Sequence, residues 1–274
     1  MKPQTYFSTF FFLWALFCLT PLFASEVAFL AQENDTVLCQ EGDISTPYAA
    51  YSSLKIAISV MGYDDGILLD ETHPAVSYQK TDQGHYDWLS LIFKQLYDPK
   101  AWMEHEHMSC SFSVAWYSEW VLQQLGLKKF QEYLTSFHYG DQNHLEYSEE
   151  KDGSMFLWFK KSLKISTQEQ VVFLQKLLAY KLPASPRAQE MTQKILYIEE
   201  FSNGWKLYGK SCSGPHGTCL GPHGTWFVGW IEHGARKIIF AYHAFDPEHS
   251  FIPATMRAKE AVKEKLQMMI FSMK

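Results

Sequence analysis

Apolar and polar positions along this chain follow two periods, and the period changes twice. Near the start, Val27 to Ala31 and Thr36 to Cys39 read as short strands separated by the turn-forming Glu33-Asn34-Asp35. From Tyr117 the spacing becomes helical, with Tyr117, Val121, Leu122 and Leu125 on one face and Gly126 as a natural C-cap. A second helix runs through Phe130, Leu134 and Phe137. Ser166-Thr167-Gln168-Glu169 is a capping-box pattern that opens a helix through Val171, Leu174 and Leu178, and Ser185-Pro186 supplies the N-cap and first-turn proline of another. Strand spacing returns at Trp205 to Lys210, Trp226 to Ile231 and Lys237 to His243, before a charged amphipathic helix from about Thr255 to the C-terminus. Terminal segments that join in one sheet around an inserted helical region, about residues 56–195, make a single mixed α/β unit with a cleft at the junction.

Residues 1–25 stand apart from both periods. They carry one charge, Lys2, then an apolar segment from Phe7 to Phe23 and a small-residue exit at Ala24-Ser25. This is the pattern of a secretory signal peptide, cleaved near residue 25 to leave 26–274 as one domain. A membrane anchor is the competing reading, but the apolar stretch is short for a span. Cys18 does not turn it into a lipoprotein signal, because Leu16-Phe17 lacks the small residues such processing prefers. The chain is 47% hydrophobic with nine tryptophans, which suits a large packed core. Without Lys2, 23 basic residues face 30 acidic ones, a net charge of −7 that does not invite nucleic acid. Cys39, Cys110, Cys212 and Cys219 remain, too few for a disulfide scaffold but enough for zero, one or two bridges in an oxidising compartment.

The candidate chemistry begins at Ser52-Ser53-Leu54-Lys55, which precedes the apolar run Ile56-Ala57-Ile58-Ser59-Val60-Met61. In a helix, positions three apart share a face, so the Ser52 hydroxyl and the Lys55 amine can meet at its N-terminus. A serine nucleophile needs a base beside it, and a lysine serves as base only where burial disfavours its ammonium form. The short pattern is weak by itself. Further segments add to it in order: Ser113-Val114-Ala115-Trp116-Tyr117-Ser118 at the first central helix, Phe137-His138-Tyr139-Gly140 at the end of the second, Trp158 ahead of Ser162-Leu163-Lys164-Ile165-Ser166, and Tyr208-Gly209-Lys210-Ser211 on a strand. Trp226-Phe227-Val228-Gly229-Trp230-Ile231 and Met256-Arg257-Ala258-Lys259 follow. Taken one at a time these residues have ordinary readings: Trp158 as core, Ser113 as an N-cap, Arg257 as a solvated charge.

Jointly and in this order they closely resemble the class D β-lactamases, the oxacillinase branch of the penicillin-recognising serine acyltransferases, over nearly all of the chain after residue 25. The resemblance implies a β-lactamase/transpeptidase-like fold, an antiparallel sheet flanked by helices. It implies that Ser52 attacks the lactam carbonyl and that Lys55, carboxylated by carbon dioxide, is general base for acylation and deacylation, with no other cofactor. Trp158 steadies the carbamate through its indole N–H, Ser113 relays a proton to the leaving nitrogen, and Lys210 and Ser211 line the substrate edge. Arg257 receives the antibiotic carboxylate, and the backbone N–H groups of Ser52 and Ser213 form the oxyanion hole. The expected ligands are β-lactam small molecules and the expected location is the periplasm, with no nucleic acid, metal or membrane partner after signal cleavage. A penicillin-binding or sensor-like protein that does not hydrolyse its ligand, and a decayed exported binding module, are the alternatives on the same fold.

Three motifs depart from the family pattern. Lys210-Ser211-Cys212 replaces a motif ending in glycine, so Cys212 is expected to crowd the substrate edge and Cys212→Gly to speed acylation. Ser113-Val114-Ala115 loses methyl groups from the cover over Lys55, and Tyr139-Gly140-Asp141 stands where relatives have asparagine third. Cys212-Ser213-Gly214-Pro215-His216-Gly217-Thr218 is followed by a near copy, Cys219-Leu220-Gly221-Pro222-His223-Gly224-Thr225. The repeat reads as a lengthened hairpin loop; a Cys212–Cys219 bridge and a Cys/His zinc site are the alternatives. His105-Glu106-His107 reads as a solvated loop without metal.

Overall fold

A computed structural model describes residues 26–77, 96–104, 114–141, 148, 155–214, 223–246 and 252–272. The leader expectation for residues 1–25 and the reading of 105–107 lie outside them. The chain opens with strands β1 (Glu26–Glu33), β2 (Thr36–Glu41) and β3 (Pro47–Ala49), then a 3₁₀ turn (Tyr51–Ser53) that runs into helix α1 (Leu54–Asp64). Two short strands, β4 (Val76–Ser77) and β5 (Leu96–Tyr97), pair ahead of α2 (Pro99–Glu104), α3 (Ala115–Leu125) and α4 (Leu127–Phe137). Next come α5 (Met155–Ser162), β6 (Lys164–Ser166), α6 (Thr167–Leu178) and α7 (Pro186–Ile195). The chain ends with β7 (Tyr197–Glu200), β8 (Lys206–Ser213), β9 (His223–His233), β10 (Arg236–Asp246) and α8 (Ala254–Ser272). Among the described residues no helix is long and apolar enough to cross a membrane.

The expected joining of the chain ends takes place between β1 and β10, which pair antiparallel with Leu30 opposite Ala241. The main sheet has the order β2-β1-β10-β9-β8-β7, six strands in antiparallel register. Both of its faces are covered, because successive side chains of a strand point to opposite sides. Trp226, Val228 and Trp230 of β9 enter the larger core shared with the helical region, whereas Phe227 and Ile231 pack with Val262, Leu266 and Ile270 of α8. Two apolar layers on one sheet explain why β9 reads as an almost unbroken hydrophobic run.

Local signals set the helix boundaries. Ser166 Oγ accepts the Glu169 N–H while Glu169 accepts the Ser166 N–H, the reciprocal capping box that starts α6. Ser185 Oγ accepts from Ala188 N ahead of Pro186 at the first position of α7. Gly126, at φ +81°, separates α3 from α4. Helix α1 differs from its neighbours in being buried on every side from Leu54 to Tyr63, the condition of a central helix. The short β3–β6 pair, with Tyr48 opposite Ile165, adds strand structure within the expected helical region.

Candidate active site

The segment that carries the proposed nucleophile is tied down residue by residue. Tyr48 stacks on His243 of β10 at a ring-centroid distance of 3.8 Å and an interplanar angle of 13°. The Trp226 indole donates to the Ala49 carbonyl at 2.9 Å, and the Ala50 N–H donates to the Leu163 carbonyl at 2.9 Å, where α5 passes into β6. Tyr51 then adopts φ +48°, in the left-handed region that large side chains rarely occupy. The chain so turned enters the 3₁₀ turn with Ser52 in its middle, one step earlier than a helix start at Ser52 would give. Positions three apart eclipse in 3₁₀ geometry, so Ser52 still lies over Lys55, the second residue of α1.

Burial separates the neighbouring hydroxyls. Ser53 is fully buried and hydrogen-bonded: Gln170 Nε2 donates to its Oγ at 2.8 Å, and that Oγ donates to the Ala50 carbonyl at 2.5 Å. The Tyr139 hydroxyl stands 3.5 Å from the same Oγ, and burial raises its pKa, so it remains a donor. No described residue hydrogen-bonds the Ser52 hydroxyl, which is 7% exposed. Ser53 braces the turn, whereas the Ser52 hydroxyl makes no such bond among the described residues.

Lys55 is 1% exposed, and its Nζ donates to the Trp102 carbonyl at 3.4 Å. That amine also lies 5.6 Å from the centre of the Trp102 ring. The Trp102 indole in turn donates to Ser118 Oγ at 2.9 Å, fixing α2 to α3. Helix α5 packs against the nucleophile turn and carries Trp158, whose side chain is outside the described residues. Ser113 lies outside them too, directly before Val114 and α3.

On β8 the strand period sorts the remaining candidates. Lys210 is 3% exposed and in phase with Tyr208 and Cys212, whose side chains join the helical-side core. Ser211 and Ser213 are in phase with Leu207, on the face covered by α8. Arg257 stands exposed in the first turn of α8, where its guanidinium donates to the Ile252 carbonyl. The structure therefore brings Ser52, Lys55 and Lys210 to one side of the sheet and places Ser211, Ser213 and Arg257 on the other.

Cys212 corrects an expectation. Its side chain does not project over the strand edge; it is 5% exposed in the core, with Sγ 4.0 Å from the Ala50 carbonyl beneath the nucleophile turn. The strand period is the physical reason, since position 212 shares the inward phase of 208 and 210. Cys39 is a free thiol, while Cys110 and Cys219 lie outside the described residues. No cluster of metal-ligating side chains occurs among the described residues. The third altered motif is structural: a side chain on Gly140, at φ +70°, would run into the Lys164 carbonyl, and Asp141 Oδ1 accepts the Lys164 N–H at 3.3 Å as an asparagine oxygen would.

Sequence reasoning missed Tyr51, Ser53, Trp102, Gln170 and His243. His243 is 2% exposed, its Nδ1 has no hydrogen-bond partner among the described residues, and burial lowers its pKa to about 3. Burial, and secondarily Cys212, raises the Tyr51 hydroxyl pKa.

An antiparallel sheet with helices on both faces, and a serine and lysine three apart where a central helix begins, are the arrangement of the β-lactamase/transpeptidase fold. The family model of the penicillin binding protein transpeptidase domain matches residues 26–266. β-Lactamase OXA-9 of Klebsiella pneumoniae is 31% identical over 246 residues, covering 85% of this chain and 83% of its own. β-Lactamase OXA-1 of Escherichia coli is 32% identical over 238 residues, with coverage of 86% and 79%. The crystal structure of OXA-427 class D β-lactamase matches with a TM-score of 0.72 at 30% identity, over 89% of this chain and 99% of that one. The chain belongs to the penicillin-binding transpeptidase domain family, in its class D β-lactamase branch.

Proposed function

We propose that this protein is a serine β-lactamase of the class D type, opening the lactam amide through an acyl-enzyme on Ser52. The observation that carries the reading is the placement of Lys55, 1% exposed at the start of a fully buried helix and one turn from the nucleophile turn. A lysine withdrawn from water favours its neutral amine, the form that adds to carbon dioxide with loss of a proton to give a carbamate. That carbamate takes the Ser52 proton as Oγ attacks the lactam carbonyl, and the proton passes by way of Ser113 to the leaving nitrogen. It then activates the water that hydrolyses the ester. Trp158 donates its indole N–H to the carbamate, and Lys210 lines the substrate edge on the side of the sheet that holds Ser52 and Lys55. The backbone N–H groups of Ser52 and Ser213 hold the oxyanion. Export through residues 1–25 to the periplasm completes the reading.

A second reading starts from the same amine left uncarboxylated, whose N–H bond to the Trp102 carbonyl at 3.4 Å needs no carbamate. A protein that keeps this amine uncarboxylated would be acylated by penicillins and would release them slowly, as a penicillin-binding or sensor-like protein. Incubating the purified protein with a chromogenic cephalosporin and a fluorescent penicillin, with and without bicarbonate at mildly acidic pH, separates the two. Turnover that rises with bicarbonate supports the hydrolase; a stable acyl adduct in the intact mass with negligible turnover supports the second; neither adduct nor turnover rejects both.

A further inference from the structure

We propose that Tyr51 is a positioning residue that locks the nucleophile turn to the base of the β8–β9 hairpin, holding the Ser52 and Ser213 backbone N–H groups in fixed relation. The consequence for catalysis rests on the oxyanion reading above; the lock itself rests on contacts. The Tyr51 φ of +48° is strained for a residue with a Cβ, and such a conformation persists only where its surroundings over-determine it. The surroundings here are two glycines of the tandem repeat. A side chain on Gly214 would overlap the Tyr51 ring at Cζ, Cε1 and the hydroxyl oxygen. One on Gly224 would come within 3.1 Å of Cε2 and 3.3 Å of that oxygen. The ring thus lies directly on the backbone of both, an approach that only residues without a Cβ permit.

Those two glycines are themselves joined. The Gly214 N–H donates to the Gly224 carbonyl at 2.9 Å, and this rung follows immediately after the Ser213–Thr225 pair. A ring attached to the residue before Ser52 therefore clamps the rung after Ser213. An oxyanion hole made of two N–H groups from separate elements needs such a tie, since its donors must stand about 2.7–3.1 Å from one oxygen. Displacement by about 1 Å costs roughly a hundredfold in rate. Ser52 and Ser213 are 161 residues apart in sequence, and Tyr51 spans the gap between their elements with one side chain.

Three variants separate the parts. Tyr51→Gly keeps the backbone conformation and removes the ring, Tyr51→Phe keeps the ring, and Gly214→Ala keeps the ring but pushes it away. Amide hydrogen exchange at Gly214 reads the lock without reference to activity. The acylation rate constant with benzylpenicillin, beside non-covalent penicillin binding in a Ser52→Ala background, reads positioning. Tyr51→Gly and Gly214→Ala are expected to speed exchange of the amide at position 214 at least tenfold, relative to its intrinsic rate, and slow acylation tenfold or more with binding unchanged, and Tyr51→Phe to match wild type in both. Unchanged Gly214 exchange in Tyr51→Gly overturns the lock; faster exchange with undiminished acylation overturns the positioning role. If wild type forms no acyl adduct, the acyltransferase reading falls together with the positioning role, and the exchange measurement still upholds or rejects the lock.

Discussion

Replacing Cys212 by glycine distinguishes two accounts of the altered strand motif that predict opposite results. If the side chain crowded the substrate edge, its removal would speed acylation. Its actual place, 5% exposed with Sγ directed at the Ala50 carbonyl, makes it part of the packing under the nucleophile turn. Deleting Cβ and Sγ forfeits about two methylene-sized groups, near 0.8 kcal/mol each, and glycine within a strand adds roughly 0.5–1 kcal/mol of backbone entropy. With some residual cavity the total is about 2–3 kcal/mol. In a chain of this length each kcal/mol lowers Tm by roughly 2–4 °C, so a fall of roughly 5–10 °C is expected. Cys212→Ala, which keeps Cβ, should lose about half as much. Thermal unfolding and kcat/KM for one penicillin, measured on wild type and both variants, decide between the accounts. The glycine variant should be less stable and no faster; an unchanged Tm with a higher kcat/KM would refute the packing argument and restore crowding.

Ser52→Ala should abolish acyl-adduct formation in intact-mass spectrometry while leaving Tm unchanged, because no described residue bonds its hydroxyl; an adduct on the variant would move the nucleophile elsewhere. His243 predicts a pH effect on stability. The native imidazole takes a proton only near pH 3, the unfolded one near 6.5, so between these values the unfolded chain binds more protons. Its contribution is complete above about pH 6.5 and falls with acidification by up to about 1.4 kcal/mol per pH unit. His243→Phe, which preserves the stack on Tyr48, should flatten that slope in urea titrations at pH 4 to 7; an unaltered slope would assign it to other groups. Gly140→Ala should lower stability by about 2 kcal/mol or more, from left-handed strain of roughly 1–2 kcal/mol plus overlap with the Lys164 carbonyl. A change under 0.5 kcal/mol in chemical unfolding would show that the Tyr139–Asp141 turn relaxes freely.

The parts of the fold that were legible are those in which the signal is local. The α6 capping box lies within four consecutive residues, the Pro186 start within two, and the amphipathic repeat of α4 within a single helix. The β3–β6 pair was not legible, because three-residue strands offer too few positions for an alternating pattern. The Ser52–Lys55 spacing is a local pattern, whereas the brace beside it joins Ser53 to Gln170 across 117 positions, a relation no local pattern records. Cys212 was misjudged for a different reason. Comparison with a glycine motif asks what a side chain adds, whereas the phase of β8 decides where it points, and Tyr208 and Lys210 already carried that phase.

The same contrast explains how this fold can hold Ser52 in place without a long support of its own. Residues 48 to 51 meet four different elements in succession: Tyr48 lies on β10, Ala49 accepts from β9, Ala50 donates to the end of α5, and Tyr51 reaches the β8–β9 hairpin. Each contact is modest, since a single hydrogen bond contributes about 0.5–1.5 kcal/mol net. Together they remove the freedom of the four residues preceding Ser52, while the bonded Ser53 and the buried start of α1 at Leu54 and Lys55 fix those that follow. Ser52 is then the one position in the turn whose side chain is not used to hold the turn. That division of labour suits the proposed nucleophile: Ser53, Tyr51 and Ala50 supply rigidity, Lys55 is kept from water in the helix behind, and no described residue hydrogen-bonds the Ser52 hydroxyl.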